Sequence, residues 1–355
     1  MSQPEYDVII VGAGPAGIFA ALELTRTQGA RVLMLDKGPA LDQRRCPSRQ
    51  KGRCMQCATC ALMTGWGGSG AFSDGKLTLT TQVGGLLAEI RGQDEAERLV
   101  EQVDDLWVLF GADGEPYSGD LDSIQEVAHK AALAGLRLQH YPIRHLGTER
   151  SGDILGAMHL ELIGRGVEVR TRTEVARILT ENGTVSGVET TKGQMLGAPH
   201  VIVAPGREGA DWLTQLARDL KLSLSINPVD IGVRVELPAH VLQPLTDLLY
   251  EPKFLYFSRS FDDRVRTFCV CPYGEVVTEW AGDVMTVNGH SYAHQRTENT
   301  NFALLVSKNF TEPFKEPIAY GKHIARLANL LSGGIMVQRL GDLRAGRRTT
   351  NQRLD

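Results

Sequence analysis

Three glycines, Gly12, Gly14 and Gly17, follow the apolar run Asp7-Val-Ile-Ile-Val11 in the spacing Gly-x-Gly-x-x-Gly, with Pro15 and Ala16 completing the loop. Each glycine has its own physical task. Gly12 permits a tight turn, Gly14 lets the backbone approach a pyrophosphate, and Gly17 lets a following helix pack closely on the strand. The unpaired N–H groups and positive dipole end of that helix would then face the phosphates. Asp36, at the end of the next apolar run with Lys37 beside it, is placed to accept hydrogen bonds from a ribose hydroxyl, which favours an unphosphorylated ribose. A strand before the loop, a helix after it and a terminal acid are the context that marks a dinucleotide site rather than a plain glycine-rich turn. The motif does not separate NAD from FAD.

Cys46, Cys54, Cys57 and Cys60 crowd one short stretch, and Cys-x-x-Cys-x-x-Cys is a spacing with which one loop can offer three thiolates to an iron–sulfur cluster. Four thiolates would also suit zinc, a Cys-x-x-Cys pair could exchange electrons, and the plainest alternative is a set of reduced thiols that shape a loop. Next comes Gly65-Trp-Gly-Gly-Ser-Gly-Ala-Phe-Ser-Asp-Gly-Lys76, where Gly67, Gly68 and Ser69 would let backbone amides approach a planar ring or a phosphate. Lys76 would put a positive charge near such a ring. Cys269 and Cys271 read as strand residues, one of them facing the core. For proton transfer the candidates are His145 in Arg144-His-Leu-Gly147, His290 in Asn288-Gly-His-Ser291, and Tyr292, with His129 weaker. No Ser-His-Asp order, His-Glu-x-x-His motif or Walker-type loop anchors a hydrolase, zinc protease or triphosphatase.

The chain that must position these groups has 355 residues, which predicts about two domains. Apolar residues make up 42% and charged residues 23%, an ordinary globular composition. The net charge of −4, from 38 basic and 42 acidic residues, lacks the basic excess of a nucleic-acid binder. No apolar run suits a membrane span or a signal peptide, so a cytoplasmic protein with reduced thiols is expected.

Periodicity places a buried strand over 7–11, a helix over 15–26 and a second strand over 31–35. The stretch 38–82 breaks this rhythm and reads as a long binding loop. Helices are predicted over 94–110, 123–134, 152–163 and 210–220. A strand is predicted over 167–170, a hairpin turns at Glu181-Asn-Gly183, and a short buried strand covers 200–203. From residue 226 the pattern turns β-rich, and the polar tail from Arg339 ends without a capping element.

On the Gly12–Gly17 loop, Cys54-Met-Gln-Cys-Ala-Thr-Cys60, the Gly65–Lys76 block, Arg144–Gly147, Val201–Gly209 and Val287-Asn-Gly-His-Ser291, the chain resembles an uncharacterised family of FAD-dependent dehydrogenases within the glutathione-reductase-type flavoprotein superfamily. The resemblance covers nearly the whole chain. It implies an α/β fold: a Rossmann-like FAD-binding domain of glutathione-reductase type from 1–82 and 150–222, a helical insertion over 83–149, a β-rich α+β substrate domain over 223–345 and a polar tail over 346–355. It further implies that the Val175 backbone meets the adenine, that Ala204, Gly206 and Arg207 lie beside FAD, and that NAD(P)H, if used, binds transiently elsewhere. Similar flavoproteins close the FAD domain with a C-terminal segment carrying a glycine–acid pair, which a chain ending at Asp355 is expected to lack. The implied activity is hydride transfer between a small organic substrate and flavin. Alternatives are a flavin monooxygenase, a reductase of prenyl-type double bonds, or a non-catalytic FAD/iron–sulfur electron-transfer module with a redox partner protein.

Overall fold

Two apolar runs, Val8–Val11 and Val32–Leu35, form strands whose eight residues are all buried, as the absence of polar alternation requires of central parallel strands. The computed structural model describes residues 5–27, 29–47, 55–72, 75–281, 283–292, 295–310 and 316–354. The two strands pair in parallel, Val8 opposite Val32, and the helix Pro15–Leu24 makes the crossover between them. His200–Val203 adds to the far side of the first strand and Glu168–Arg170 to the far side of the second, both in parallel, completing a four-stranded sheet.

Alternation along the strands divides the core in two. Ile10 and Met34 face the crossover helix and the helix Thr148–Gly164, which contributes Ile154, Leu155, Met158 and Leu162. Ile9, Leu33 and Leu35 face the opposite way, onto Val175, Val188 and Leu196 of a three-stranded meander, Val175–Glu181, Thr184–Thr190 and Met195–Gly197.

The later half builds a second, antiparallel sheet in the order Val229–Pro238, Asn299–Lys308, Arg264–Cys271, Lys253–Phe257, Arg137–Gln139. Its two ten-residue strands pair along their full length, from Val229 opposite Lys308 to Pro238 opposite Asn299. A hairpin, Glu275–Ala281 with Val284–His290, and the helices Ala239–Leu249 and Pro317–Ser332 accompany this sheet. The architecture is thus mixed α/β, a parallel sheet joined to a β-rich unit. Among the described residues no helix is long and apolar enough to cross a membrane.

The stretch 83–149 is less purely helical than its sequence suggests. Beside the helices Gln93–Leu109 and Leu121–Leu133 it holds two three-residue strands: Arg137–Gln139 edges the second sheet, and Ile143–His145 pairs with Lys76–Thr78. Strands this short show no readable alternation. Near the C-terminal end, Asp342 is 2% exposed and binds Arg347, Arg353 and Thr349, so an ion-paired cluster organises a segment that reads as a polar tail.

Trp66 ties the glycine-rich loop to this frame. Its indole N–H donates to the Leu155 carbonyl at 2.8 Å, and its ring lies 4.5 Å from that of His159. Trp66→Ala is expected to remove about 3–5 kcal/mol of stability, as truncation of a buried tryptophan does. A fall in the urea midpoint of the purified protein measures it.

Candidate functional site

At the C-terminal end of the parallel strands the loop Gly12–Gly14 turns into the helix that begins at Pro15. Gly12 holds φ at +107°, and a Cβ there would stand 2.1 Å from the Ala204 carbonyl oxygen, so no other residue fits. Gly14 is the helix N-cap and brings no side-chain acceptor, which leaves the first-turn amides open to an anion. Gly14 and Gly68 meet face to face: a Cβ on Gly68 would approach the Gly14 Cα to 3.0 Å.

These loops wall a cleft of about 150 Å³ that opens to solvent. Of the residues expected to hold a dinucleotide, Gly12, Gly14 and Pro15 line one wall, Asp36 and Lys37 a second, and Gly68 and Ser69 a third. Val175, Ala204, Gly206 and Arg207 line the remainder. Four others lie elsewhere. Gly17 is buried beneath the turn, where a Cβ would strike the Gly12 carbonyl at 2.0 Å. Ala16 points outward, and Gly67 is buried with its amide on the Ala13 carbonyl at 2.7 Å. Lys76 sits with the second sheet, described below. The cleft also uses Met63, Thr173, Glu174 and Trp212, none of which carries a motif; Trp212 is fixed by its indole N–H on the Ala176 carbonyl at 2.8 Å.

Asp36 does more than face the cleft. Its Oδ2 accepts from the Ala13 amide at 2.9 Å, and its Oδ1 accepts from the amides of Gly38 at 2.7 Å and Gly65 at 2.9 Å. A carboxylate offers about four acceptor positions, so most of its capacity is spent on the backbone before any ribose arrives. Arg44, which no motif singles out, is the counterpart. It is 4% exposed and donates to the carbonyls of Ala61 at 2.8 Å, Leu62 at 2.9 Å and Trp66 at 2.6 Å. Burial brings its guanidinium down to about 10, against the opposing pull of Asp36, and it stays cationic at neutral pH. Lys37 meets Glu208 at 3.5 Å, and Arg207 reaches across to Glu279 of the hairpin at 3.8 Å.

A second polar cluster forms where the strand pair Lys76–Thr78 and Ile143–His145 meets the second sheet. Lys76 stands opposite His145 in that pair. The Tyr250 hydroxyl lies 2.6 Å from His145 Nε2 and 3.1 Å from the Ser291 hydroxyl, which is itself 3.2 Å from His145 Nε2. Tyr250 has a φ of +55°, an uncommon value for a bulky residue and a mark of local strain. Lys76 is buried against Glu251 at 2.6 Å and donates to the Val270 carbonyl at 2.7 Å. Lys253 lies over the rings of Tyr141 and Phe268, and burial pushes its ammonium down to about 8. The buried Tyr141 hydroxyl has no hydrogen-bond partner among the described residues, and burial pushes the phenol up. His290 is buried at the end of the hairpin, while Tyr292 donates to Glu275 at 2.7 Å on the outside. Of the three proton-transfer candidates, His145 joins this connected set, and His290 and Tyr292 flank its Ser291 in the chain. Tyr250 and Ser291 come to His145 from 105 and 146 residues away, beyond any local signal.

Of the cysteine cluster, Cys54 lies outside the described residues. Cys46 and Cys60 are half-buried and Cys57 is exposed. Among the described residues no group of three or more His, Cys, Asp or Glu side chains is placed to hold a metal ion.

Residues 7–231 match the family model "FAD binding domain". The chain belongs to that family, one of FAD-dependent oxidoreductases. Residues 228–354 match a second model, "FAD-dependent protein, C-terminal domain-like". A Clostridium beijerinckii protein described only as uncharacterised is 27% identical over 363 residues, covering 96% of this chain and 60% of its own length, so the chain spans about three-fifths of that relative. Among solved structures, glycine oxidase from Bacillus cereus is 16% identical, with 93% of this chain and 80% of that one covered and a TM-score of 0.41. L-amino acid deaminase from Proteus vulgaris is 14% identical, with 92% and 66% covered and a TM-score of 0.43.

The cleft fits the FAD of this flavoprotein family, because its lining is rich in glycine and its helix end carries no side-chain cap. Asp36→Ala is expected to destabilise the protein even without cofactor, by about 1–3 kcal/mol for each buried amide left without an acceptor. Asp36→Asn, which keeps one acceptor oxygen, should fall between it and wild type. Melting temperatures of the three apo-proteins test the order.

Proposed function

We propose that this protein is a FAD-dependent dehydrogenase or reductase of glutathione-reductase-like architecture that acts on a small organic substrate. The observation that carries the reading is the cleft at the C-terminal end of the parallel strands, walled by Gly12, Gly14 and Gly68 and facing the open N-terminus of the Pro15–Leu24 helix. In this reading the first-turn amides hold the pyrophosphate, and Lys37 with the remaining acceptor capacity of Asp36 holds the ribose. The Val175 backbone receives the adenine. Ala204, Gly206 and Arg207 flank the cofactor, and Gly68 and Ser69 let it lie close to the backbone. When bound, FAD supplies a two-electron carrier that the side chains of this chain do not provide.

What the chain adds is proton handling and enclosure. The Tyr250 hydroxyl, His145 Nε2 and the Ser291 hydroxyl form a closed triangle of contacts through which a proton can pass between a substrate and the imidazole. The Arg207–Glu279 contact brings the hairpin against the cleft, and the Asn288 amide fixes Glu279 by donating to Oε1 at 2.9 Å. Reduced nicotinamide is the proposed transient donor.

Purified wild-type protein is expected to take up added FAD and show flavin absorption, whereas Gly14→Val should weaken FAD by roughly 3 kcal/mol, about a hundredfold in Kd. A colourless wild-type protein that ignores added FAD overturns the reading. Anaerobic mixing with NADH or NADPH should bleach the flavin band, and oxygen uptake tied to substrate turnover would move the assignment to a monooxygenase. His145→Gln should lower the turnover number by about 10²–10⁴, the range of general acid–base catalysis. FAD affinity should not change in that variant, and Tyr250→Phe should share the defect.

A further inference from the structure

The strand Arg264–Cys271 is interrupted where its register with Asn299–Lys308 shifts: Phe268 stands opposite Ala303 and Cys271 opposite Asn301, so one extra residue is held on the cysteine-bearing strand. Cys269 has a φ of +48° within that bulge. In a regular strand two residues one position apart on the same face are separated by roughly 7 Å, near the limit for bridging two cysteines. Here the bulge brings the two sulfurs to 3.9 Å. It is a braced arrangement. The Cys269 amide donates to Glu251 Oε1 at 3.2 Å, and the Arg234 guanidinium donates to the Cys269 carbonyl at 3.0 and 3.2 Å.

The surroundings distinguish the two thiols. Cys269 is half-buried and its sulfur lies 3.9 Å from Lys76 Nζ, with Lys253 also within electrostatic reach. Lys76 pairs with Glu251, and Lys253 is coupled to the same carboxylate, so two ammonium groups lie near the Cys269 sulfur and favour its thiolate. Cys271 is 0% exposed, with its sulfur against that of Cys269.

We propose that Cys269 and Cys271 form a reversible thiol–disulfide couple, with Cys269 the reacting sulfur and Cys271 the resolving one, and a small organic disulfide or a partner's disulfide as the oxidant. The Cys269 thiolate attacks one sulfur of the disulfide R–S–S–R. A Cys269–S–S–R bond forms, the original S–S bond breaks and RS⁻ leaves. Cys271 gives its proton to the departing thiolate and attacks the Cys269 sulfur, forming the internal bridge and releasing the second R–S group, which takes up a proton. Two protein thiols are oxidised and one disulfide is reduced to two thiols. A bridge across a single intervening residue closes a small, strained ring, and strained bridges are the easily reduced ones, which suits a couple rather than a permanent link. This is independent of whether FAD is bound.

The test uses the full chain, equilibrated in buffers from reduced to fully oxidised glutathione, quenched with iodoacetamide, digested and mapped by mass spectrometry. In oxidised buffer the peptide containing Cys269 and Cys271 is expected to lose two hydrogens and both alkylation sites, and dithiothreitol should restore them. Cys271→Ser should accumulate a glutathione adduct on Cys269, whereas Cys269→Ser should accumulate none on Cys271. Full alkylation of both wild-type cysteines in oxidised buffer overturns the proposal, as does an adduct on Cys271 in the Cys269→Ser variant. If a serine variant fails to fold, the wild-type map decides alone.

Discussion

The cleft depends on one carboxylate and the backbone it gathers. Asp36 collects amides from three segments: Ala13 of the Gly12–Gly17 loop, Gly38 of the turn after the second strand, and Gly65 of the glycine-rich loop. Hydrogen bonds from backbone amides to an ionised acceptor are roughly twice as strong as neutral ones, and in a buried setting they are costly to break. Without them the glycine-rich loop, whose described residues 55–67 form no helix or strand, would lose its hold on the dinucleotide turn. Arg44 completes the constraint from the other side by gathering the carbonyls of Ala61, Leu62 and Trp66. An acid holds amides and a base holds carbonyls, so these backbone groups find partners without a helix or strand.

This arrangement refines what a terminal acid after the second strand means. From sequence, Asp36 is a ribose ligand; in the fold it is first a staple that lets Gly14 and Gly68 approach each other and only then a wall of the cleft. The two tasks are compatible because the carboxylate is held at the cleft's edge, 8% exposed. The same loop, passing through Trp66, is pinned to the helix Thr148–Gly164, so the cleft inherits its rigidity from the core beneath it.

Local signals carried much of the nucleotide unit. Uninterrupted burial in Val8–Val11 and Val32–Leu35, the glycine spacing and the turn at Asn182-Gly183 each act over a few residues and can be read directly. What could not be read acts over long separations. Arg44 carries no motif, Tyr250 follows a helix with nothing to mark it, and the three-residue strands Arg137–Gln139 and Ile143–His145 exist because distant strands accept them. Lys76 shows the limit most clearly. Its place at the end of a glycine-rich loop pointed to a cofactor ring, yet the fold buries its ammonium against Glu251, a partner set by tertiary structure alone.

Glu251 does for the second cluster what Asp36 does for the first. It pairs with Lys76, accepts from the Cys269 amide, and directly follows Tyr250, so one carboxylate lies beside both Tyr250 and Cys269, which hold positive φ. Strained backbone persists only where its surroundings over-determine it. Here the strain has visible products: at Tyr250 it turns a phenol onto an imidazole, and at Cys269 it folds two sulfurs toward each other. A relaxed strand would separate the sulfurs and an uncapped helix end would release the phenol. Glu251 therefore adjoins both positions, through the chain at Tyr250 and through a hydrogen bond at Cys269.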